Sequence, residues 1–170
     1  RALQHSAAVL TISEFTKREI VDLLDFPADR IHVTPLATQW PDADPAATEA
    51  DARLLGDLDL TAGRYFVSVG TLSPRKNYGN LLTAFGRFRE HFPDASLVIV
   101  GQVGWGVEAL VSALAAGVPG VRWIRSASSA DLQILYRQAR GSFLVSRYEG
   151  FGIPVLEAMA CGCPVCYATG

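Results

Sequence analysis

The sequence predicts an α/β fold in which a parallel sheet is covered by helices on both faces. Three observations predict it. From Tyr65 onward, short apolar runs of strand length alternate with helical stripes. Those runs are apolar on both faces, as in a sheet buried from both sides. Each run is followed by a loop rich in glycine or polar residues, where ligands of such sheets bind.

Taken in order, Val9-Leu10-Thr11-Ile12 reads as a short strand. Ser13 is a good helix N-cap with Glu14 in the first turn, and Phe15, Ile20, Leu23 and Leu24 give an imperfect helical stripe. Pro27 ends that segment, and Ile31-His32-Val33 is a second strand. From Pro41 to about Thr61 the chain is rich in Ala, Asp and Pro and reads as a linker, with room for a short helix at Ala50 to Leu55.

The alternation then begins. Tyr65 to Val69 is a strand, and Leu81, Leu82, Phe85 and Phe88 mark one face of a helix. Leu97 to Val100 is a strand, Val107 to Ala116 a helix, and Val121 to Ile124 a strand. Ser128 or Ser129 caps a helix containing Leu132, Leu135 and Tyr136. Ser142 to Val145 is a strand, Pro154 to Ala160 a largely buried helix, and Pro164-Val165-Cys166 the start of another strand. Four loops therefore face the ligand side: Gly70 to Gly79, Gly101 to Gly106, Arg125 to Ala130 and Ser146 to Ile153.

Composition narrows the function. The 170 residues are 49% apolar and 19% charged, so the chain is globular rather than disordered. Fifteen basic and 17 acidic side chains leave a net charge of −2, which argues against a nucleic-acid partner. No apolar run reaches the roughly 18–20 residues that span a bilayer as a helix. Cys161, Cys163 and Cys166 lack a fourth ligand in zinc-type spacing, so they read as free buried thiols of a reducing, cytoplasmic compartment, and no metal is expected. Arg1 at the start and the run Tyr167 to Gly170 at the end lead us to expect a piece of a longer protein.

Three loops carry candidate chemistry. In Gly70-Thr71-Leu72-Ser73-Pro74-Arg75-Lys76-Asn77, two adjacent cations stand between a strand end and a helix start, which suits phosphate oxygens; the alternative is a solvated basic turn. Gly101, Gly104 and Gly106 lack the spacing of a dinucleotide fingerprint, so Gly101 is either a close ligand approach or a turn glycine. The last loop, Ser146-Arg147-Tyr148-Glu149-Gly150-Phe151-Gly152-Ile153-Pro154-Val155-Leu156-Glu157, is the most informative. Gly150 and Gly152 let backbone approach a ligand, and Pro154 suits the first helical position. The N–H groups near Gly152 and Ile153 then point toward an anion or sugar oxygens. Glu149 before the helix and Glu157 one turn inside it are placed to accept hydrogen bonds from hydroxyls. The alternative is a helix-terminal carboxylate plus a structural buried glutamate, which would need a protein donor.

The run from Glu149 to Val165, Glu-Gly-Phe-Gly-Ile-Pro-Val-Leu-Glu-Ala-Met-Ala-Cys-Gly-Cys-Pro-Val, resembles the donor-site signature of retaining glycosyltransferases of group 1, the mannosyltransferase-like enzymes of the two-domain GT-B fold. Val69 to Asn77 resembles a second motif of that family, and Ser13 to Thr16 with Ile31 to Leu36 its last stretch before the hinge. The resemblance implies a Rossmann-like donor domain over residues 62–170, a hinge over 41–61, and over 1–40 the tail of the acceptor-side domain.

By that resemblance, Glu149 contacts the transferred sugar, and Arg75 and Lys76 hold the diphosphate and stabilise its growing charge. Gly150, Phe151, Gly152 and Ile153 present backbone N–H groups, with Gly70 in the phosphate loop. Glu157 binds the ribose, and Ile124 and Arg125 meet the base. No cofactor is implied. The donor is a nucleoside-diphosphate sugar, GDP-mannose as first expectation and a UDP-hexose as second; the acceptor is a saccharide or a lipid-linked sugar. Peripheral membrane contact, at the inner face, is expected through the N-terminal domain. Transfer proceeds with retention, and the 170 residues by themselves are expected to be inactive. Thr71 stands where many members have Arg, Val145 where many have Pro, and Ala37 where many have Gly. His5, His32 and His91 do not match the family's cleft histidine and read as structural or solvent-facing. Two alternatives remain: a sugar-nucleotide epimerase or phosphorylase of the same fold, the latter without a pyridoxal motif here, and a non-catalytic nucleotide-binding or interaction module.

Overall fold

A computed structural model describes residues 3–40 and 48–168. Residues 41–47, the first part of the predicted linker, lie outside the described residues, as do the two at each end. The elements run β1 (Val9–Thr11), α1 (Glu14–Leu24), β2 (Ile31–Val33), α2 (Glu49–Asp57), β3 (Tyr65–Val69), α3 (Tyr78–His91), β4 (Ser96–Val100), α4 (Glu108–Ala116), β5 (Val121–Ile124), α5 (Ser129–Arg137), β6 (Gly141–Leu144), α6 (Ile153–Ala160) and β7 (Val165–Tyr167).

β3 to β7 form a five-stranded, wholly parallel sheet in the order β5-β4-β3-β6-β7, and β1 and β2 form a separate parallel pair. Side-chain alternation with a period of two sorts the strands' residues onto two cores. Val67, Val98 and Val100 pack with Leu55, Leu135, Tyr136 and Ala158, under α2, α5 and α6. Leu97 and Ile99 pack on the other face with Tyr78, Leu81, Phe85 and Val107, under α3 and α4. The helices thus change face between β5 and β6. The strand order reverses at the same place, which puts the topological switch point between β3 and β6.

Capping residues set the helix starts. Ser13 accepts from the Thr16 N–H, and Ser128 and Asp131 form a reciprocal capping box on α5. The region read as a linker contains α2, capped by Thr48. Asp51, only 2% exposed, fastens that helix to α5: it accepts from Arg137 Nη2 and Gln138 Nε2, each at 2.7 Å, and from Thr48 Oγ1. Burial acts to raise the Asp51 carboxyl, but the bonds from Arg137, Thr48 and Gln138 and the Arg137 charge outweigh it, leaving the pKa below its ordinary value.

The expectation for α6 needs correcting. Only Ala158 is buried; Met159 and Ile153 are exposed, and Val155 and Leu156 are half-buried. The helix packs against α5, β6 and β7, at the margin of the sheet, so one side alone is covered. It also begins at Ile153, which puts Pro154 second rather than first.

Candidate functional site

The loop after β3 and the loop after β6 meet at the switch point. Pro74–Lys76 is a single 3₁₀ turn, closed by Asn77 in the left-handed region at φ 59°, a conformation that asparagine tolerates well. Asn77 Nδ2 then donates to the Val145 carbonyl at 3.2 Å, and the Arg147 N–H to the Arg75 carbonyl at 2.8 Å. These two bonds tie the loops together and set the position of the charged side chains.

Glu149 is the centre of the cluster. Its Oε1 accepts from Lys76 Nζ and from Ser146 Oγ, and its Oε2 from Arg75 Nη1, all at 2.6 Å. Burial acts to raise its pKa; the bonds from Lys76, Ser146 and Arg75 and the Lys76 charge win, so the carboxylate stays ionised below its usual range. Two cations face one carboxylate, which leaves one net positive charge in the cluster.

Backbone geometry seats the lysine. Gly70 has φ 151°, and a Cβ there would stand 3.0 Å from Lys76 Cε and 3.1 Å from Nζ. Its carbonyl accepts from Tyr78 Oη at 2.9 Å. The stem of Lys76 therefore lies on bare backbone, and the side chain is only 10% exposed. Gly101 resolves the alternatives left open by the sequence. A Cβ on it would overlap the Gly70 carbonyl oxygen, so its role is close packing of the two loops rather than ligand approach.

The start of α6 supplies donors. Gly152 is the N-cap at φ 92°, a conformation that favours glycine. Among the described residues, the N–H groups of Gly150, Phe151, Gly152 and Ile153 donate to no protein acceptor. Gly150 differs from expectation in one respect: its missing side chain faces Thr16 and Ile12 at ordinary contact distances. Glu157 is half-buried inside α6 and makes no hydrogen bond or ion pair with a described residue; burial pushes its carboxyl above the ordinary value.

Arg75, Lys76, Gly70 and Glu149 thus come together with the helix start. Ile124 and Arg125 do not join them. They lie at the end of β5, two strands from β3, or about 10 Å at the usual inter-strand spacing. The Ile124 carbonyl accepts from the Gly101 N–H at 2.9 Å, and the exposed Arg125 lies over the Trp123 ring at 4.4 Å. His5, His32 and His91 are all exposed. Cys161 and Cys163 are buried free thiols, but Cys166 is exposed. Burial, with Cys161 beside it, pushes the Cys163 thiol up to about 11.

Two contributors escaped the sequence reading. Ser146 is 4% exposed and holds Glu149; its signal was the Ser-x-x-Glu spacing, which favours such a bond. Tyr148 accepts from Arg75 Nη1 through its carbonyl at 2.9 Å and places its ring 5.5 Å under the same guanidinium. A cavity of about 580 Å³ lined by Arg64, Phe66 and Phe92 lies by the N-terminal ends of β3 and β4, away from the switch point.

A family model for glycosyl transferases group 1 matches residues 59–168. The chain belongs to that family. As a group 1 glycosyl transferase it is 35% identical to O-antigen chain mannosyltransferase B of Escherichia coli, over 96% of this chain and 44% of that protein. It is 30% identical to the serotype-specific mannosyltransferase WbdA of E. coli, over 74% of this chain and 18% of that one. The chain therefore spans less than half the length of either relative. Among solved structures, Anabaena HepE in complex with UDP and glucose superposes with a TM-score of 0.82 at 20% identity, over 99% of this chain and 46% of that one. The likeness shows the fold: a Rossmann-like sheet, as in GT-B glycosyltransferases, with helices on both faces.

Proposed function

We propose that this chain forms the nucleotide-sugar-binding half of a retaining glycosyltransferase, with its donor site between Glu149 and Glu157. The observation that carries the reading is the net positive cluster of Arg75, Lys76 and Glu149 beside the four free N–H groups of the α6 start. A nucleoside-diphosphate sugar needs such a place. As the bond from the anomeric carbon to the diphosphate breaks, negative charge grows on the leaving phosphate. Fixed donors and cations aimed there stabilise the transition state more than the ground state. Arg75 and Lys76 share their charge between Glu149 and the diphosphate, and Glu149, held by Ser146, presents its carboxylate to hydroxyls of the transferred sugar. Glu157, without a protein donor and partly desolvated, accepts from the ribose hydroxyls. The base lies toward Ile124 and Arg125, about 10 Å across the strand ends.

Residues 62–170 are the donor-binding domain, 41–61 connect it, and 1–40 come from the acceptor-side half. The full protein transfers a hexosyl group to a saccharide or lipid-linked acceptor. Mannosyl from GDP-mannose is favoured by the names of the two E. coli relatives, whereas HepE was solved with UDP, which keeps a UDP-hexose as second. Free thiols at Cys161, Cys163 and Cys166 suit a cytoplasmic protein working at the inner membrane face. The isolated chain binds donor but does not turn over.

Calorimetric titration with GDP, UDP and ADP tests this. Binding of at least one, weakened by about 1–3 kcal/mol in Glu157→Ala, is the expected result. Failure of all three to bind the folded chain overturns the donor-site reading and favours a non-catalytic interaction module.

A further inference from the structure

The cluster around Glu149 has a second side. Arg75 also lines an open cavity of about 560 Å³, together with Thr71, Ser73, Trp105, Arg147 and Tyr148. That volume lies within the roughly 300–1,000 Å³ of small-molecule sites. Its lining is unusual for a surface. Trp105 is 71% exposed and Tyr148 59%, and Arg147 is exposed and makes no ion pair with a described residue. Trp105 comes from the loop after β4, Thr71 and Arg75 from the loop after β3, and Arg147 and Tyr148 from the loop after β6. Three loops at the ligand end of the sheet thus converge on one pocket. The loops hold their places firmly: Leu72 pairs with Val103 in an isolated bridge, and the Arg147 N–H is bonded to Arg75.

We propose that this pocket is a pyranose-binding subsite for the sugar acceptor, supplied by the donor-side half itself. The chemistry matches. A pyranose presents one face of C–H bonds and a rim of hydroxyls. The exposed Trp105 ring offers flat apolar surface at small entropic cost, while Tyr148, whose ring lies against Arg75 and Phe15, contributes its hydroxyl, and guanidinium forks and hydroxyls bind the rim. The position also matches, because Tyr148 adjoins Glu149 in the chain and Arg75 touches both the pocket and the Glu149 carboxylate. The inference rests on the donor site proposed above, and its ligand is a neutral saccharide rather than the nucleotide.

The test is saturation-transfer NMR on the 170-residue chain with α-mannobiose and with maltose, in the presence and absence of GDP and UDP. The expected result is saturation of ring C–H protons of at least one disaccharide. In Trp105→Ala that binding weakens at least ~10-fold, while nucleoside-diphosphate affinity is unchanged. Arg147→Gln, a change at an exposed side chain, weakens the disaccharide again. Nucleotide binding without any saccharide signal overturns the subsite and leaves the donor site standing. Loss of nucleotide affinity in Trp105→Ala, or contact of guanosine with Trp105 in place of sugar, overturns it in favour of a nucleotide pocket. A chain that binds neither ligand overturns both readings.

Discussion

Lys76 Nζ donates to Glu149 Oε1 at 2.6 Å, joining two loops that lie 73 residues apart in the chain and on either side of the switch point between β3 and β6. With Ser146 and Arg75 on the same carboxylate, the bond makes Glu149 a fixed element rather than a free side chain. Its charge is set by its neighbours before any ligand arrives.

Removing Ser146 tests how far this fixing matters. Ser146→Ala deletes one buried donor to the carboxylate and is expected to cost about 1 kcal/mol of stability in urea unfolding. Nucleoside-diphosphate affinity should change by less than in a variant that removes a cation. A Ser146→Ala chain as stable as wild type would show that Lys76 and Arg75 hold Glu149 unaided.

The two loop glycines should differ in cost. Gly70→Ala sets a Cβ 3.0 Å from the Lys76 side chain and asks alanine to hold φ 151°; a loss of about 1–2 kcal/mol is expected. Gly101→Ala drives a Cβ into the Gly70 carbonyl, where only backbone can give way, and should cost more, about 3 kcal/mol. Urea denaturation of both variants checks the order. Gly101→Ala unfolding at the wild-type midpoint would contradict the packing described.

Asp51 should fasten α2 to α5. Asp51→Ala leaves Arg137, whose side chain is 14% exposed, without its carboxylate, and about 3 kcal/mol of stability should go. The pH dependence has a definite sign. The folded pKa lies below the ordinary value of 3.8, so the stabilisation is full above that value and is lost as pH falls through the lower folded pKa. Acid unfolding below about pH 4 should therefore be steeper in wild type than in Asp51→Asn. Equal acid profiles would remove the role.

Glu157 gives a pH test of ribose recognition. Its pKa is raised above the ordinary 4.5 by burial, whereas Glu149 is depressed, so between these only Glu157 takes up a proton as pH falls toward 4.5. Nucleoside-diphosphate affinity should drop over that range in wild type and drop less in Glu157→Gln, which keeps an acceptor but cannot titrate. Calorimetry from pH 7 to 4.5 on both proteins separates this from protonation of the phosphates, which is common to the two. Identical curves would take Glu157 out of the site.

Much of this was legible in the sequence because local signals and tertiary demands agree. Tyr65–Val69 and Val121–Ile124 form strands over the residues expected, since continuous apolar runs of that length fit a sheet buried on both faces. Ser13 and Ser128 cap where their position suggested. α2 was harder to see. Its Ala- and Asp-rich sequence allowed only a short helix at Ala50 to Leu55, and what extends it to Glu49–Asp57 is packing on α5 through Asp51. α6 misled in the other direction: its apolar composition suggested a largely buried helix, but at the margin of the sheet only one side finds a partner. The residues of the Glu149 cluster were all named from the sequence except Ser146 and Tyr148. Their mutual bonding was not, because a contact across 73 residues leaves no trace in local pattern.

On the proposed reading, Lys76 and Glu149 mark a diphosphate site. Calorimetric titration of the wild-type chain and of Lys76→Ala with GDP and UDP tests it most directly, with circular dichroism to confirm that both are folded. One of the two nucleotides should bind wild type, and Lys76→Ala should weaken it by about 1.5–3 kcal/mol, or roughly 10- to 150-fold. Equal affinity for the folded variant and the wild type would contradict it.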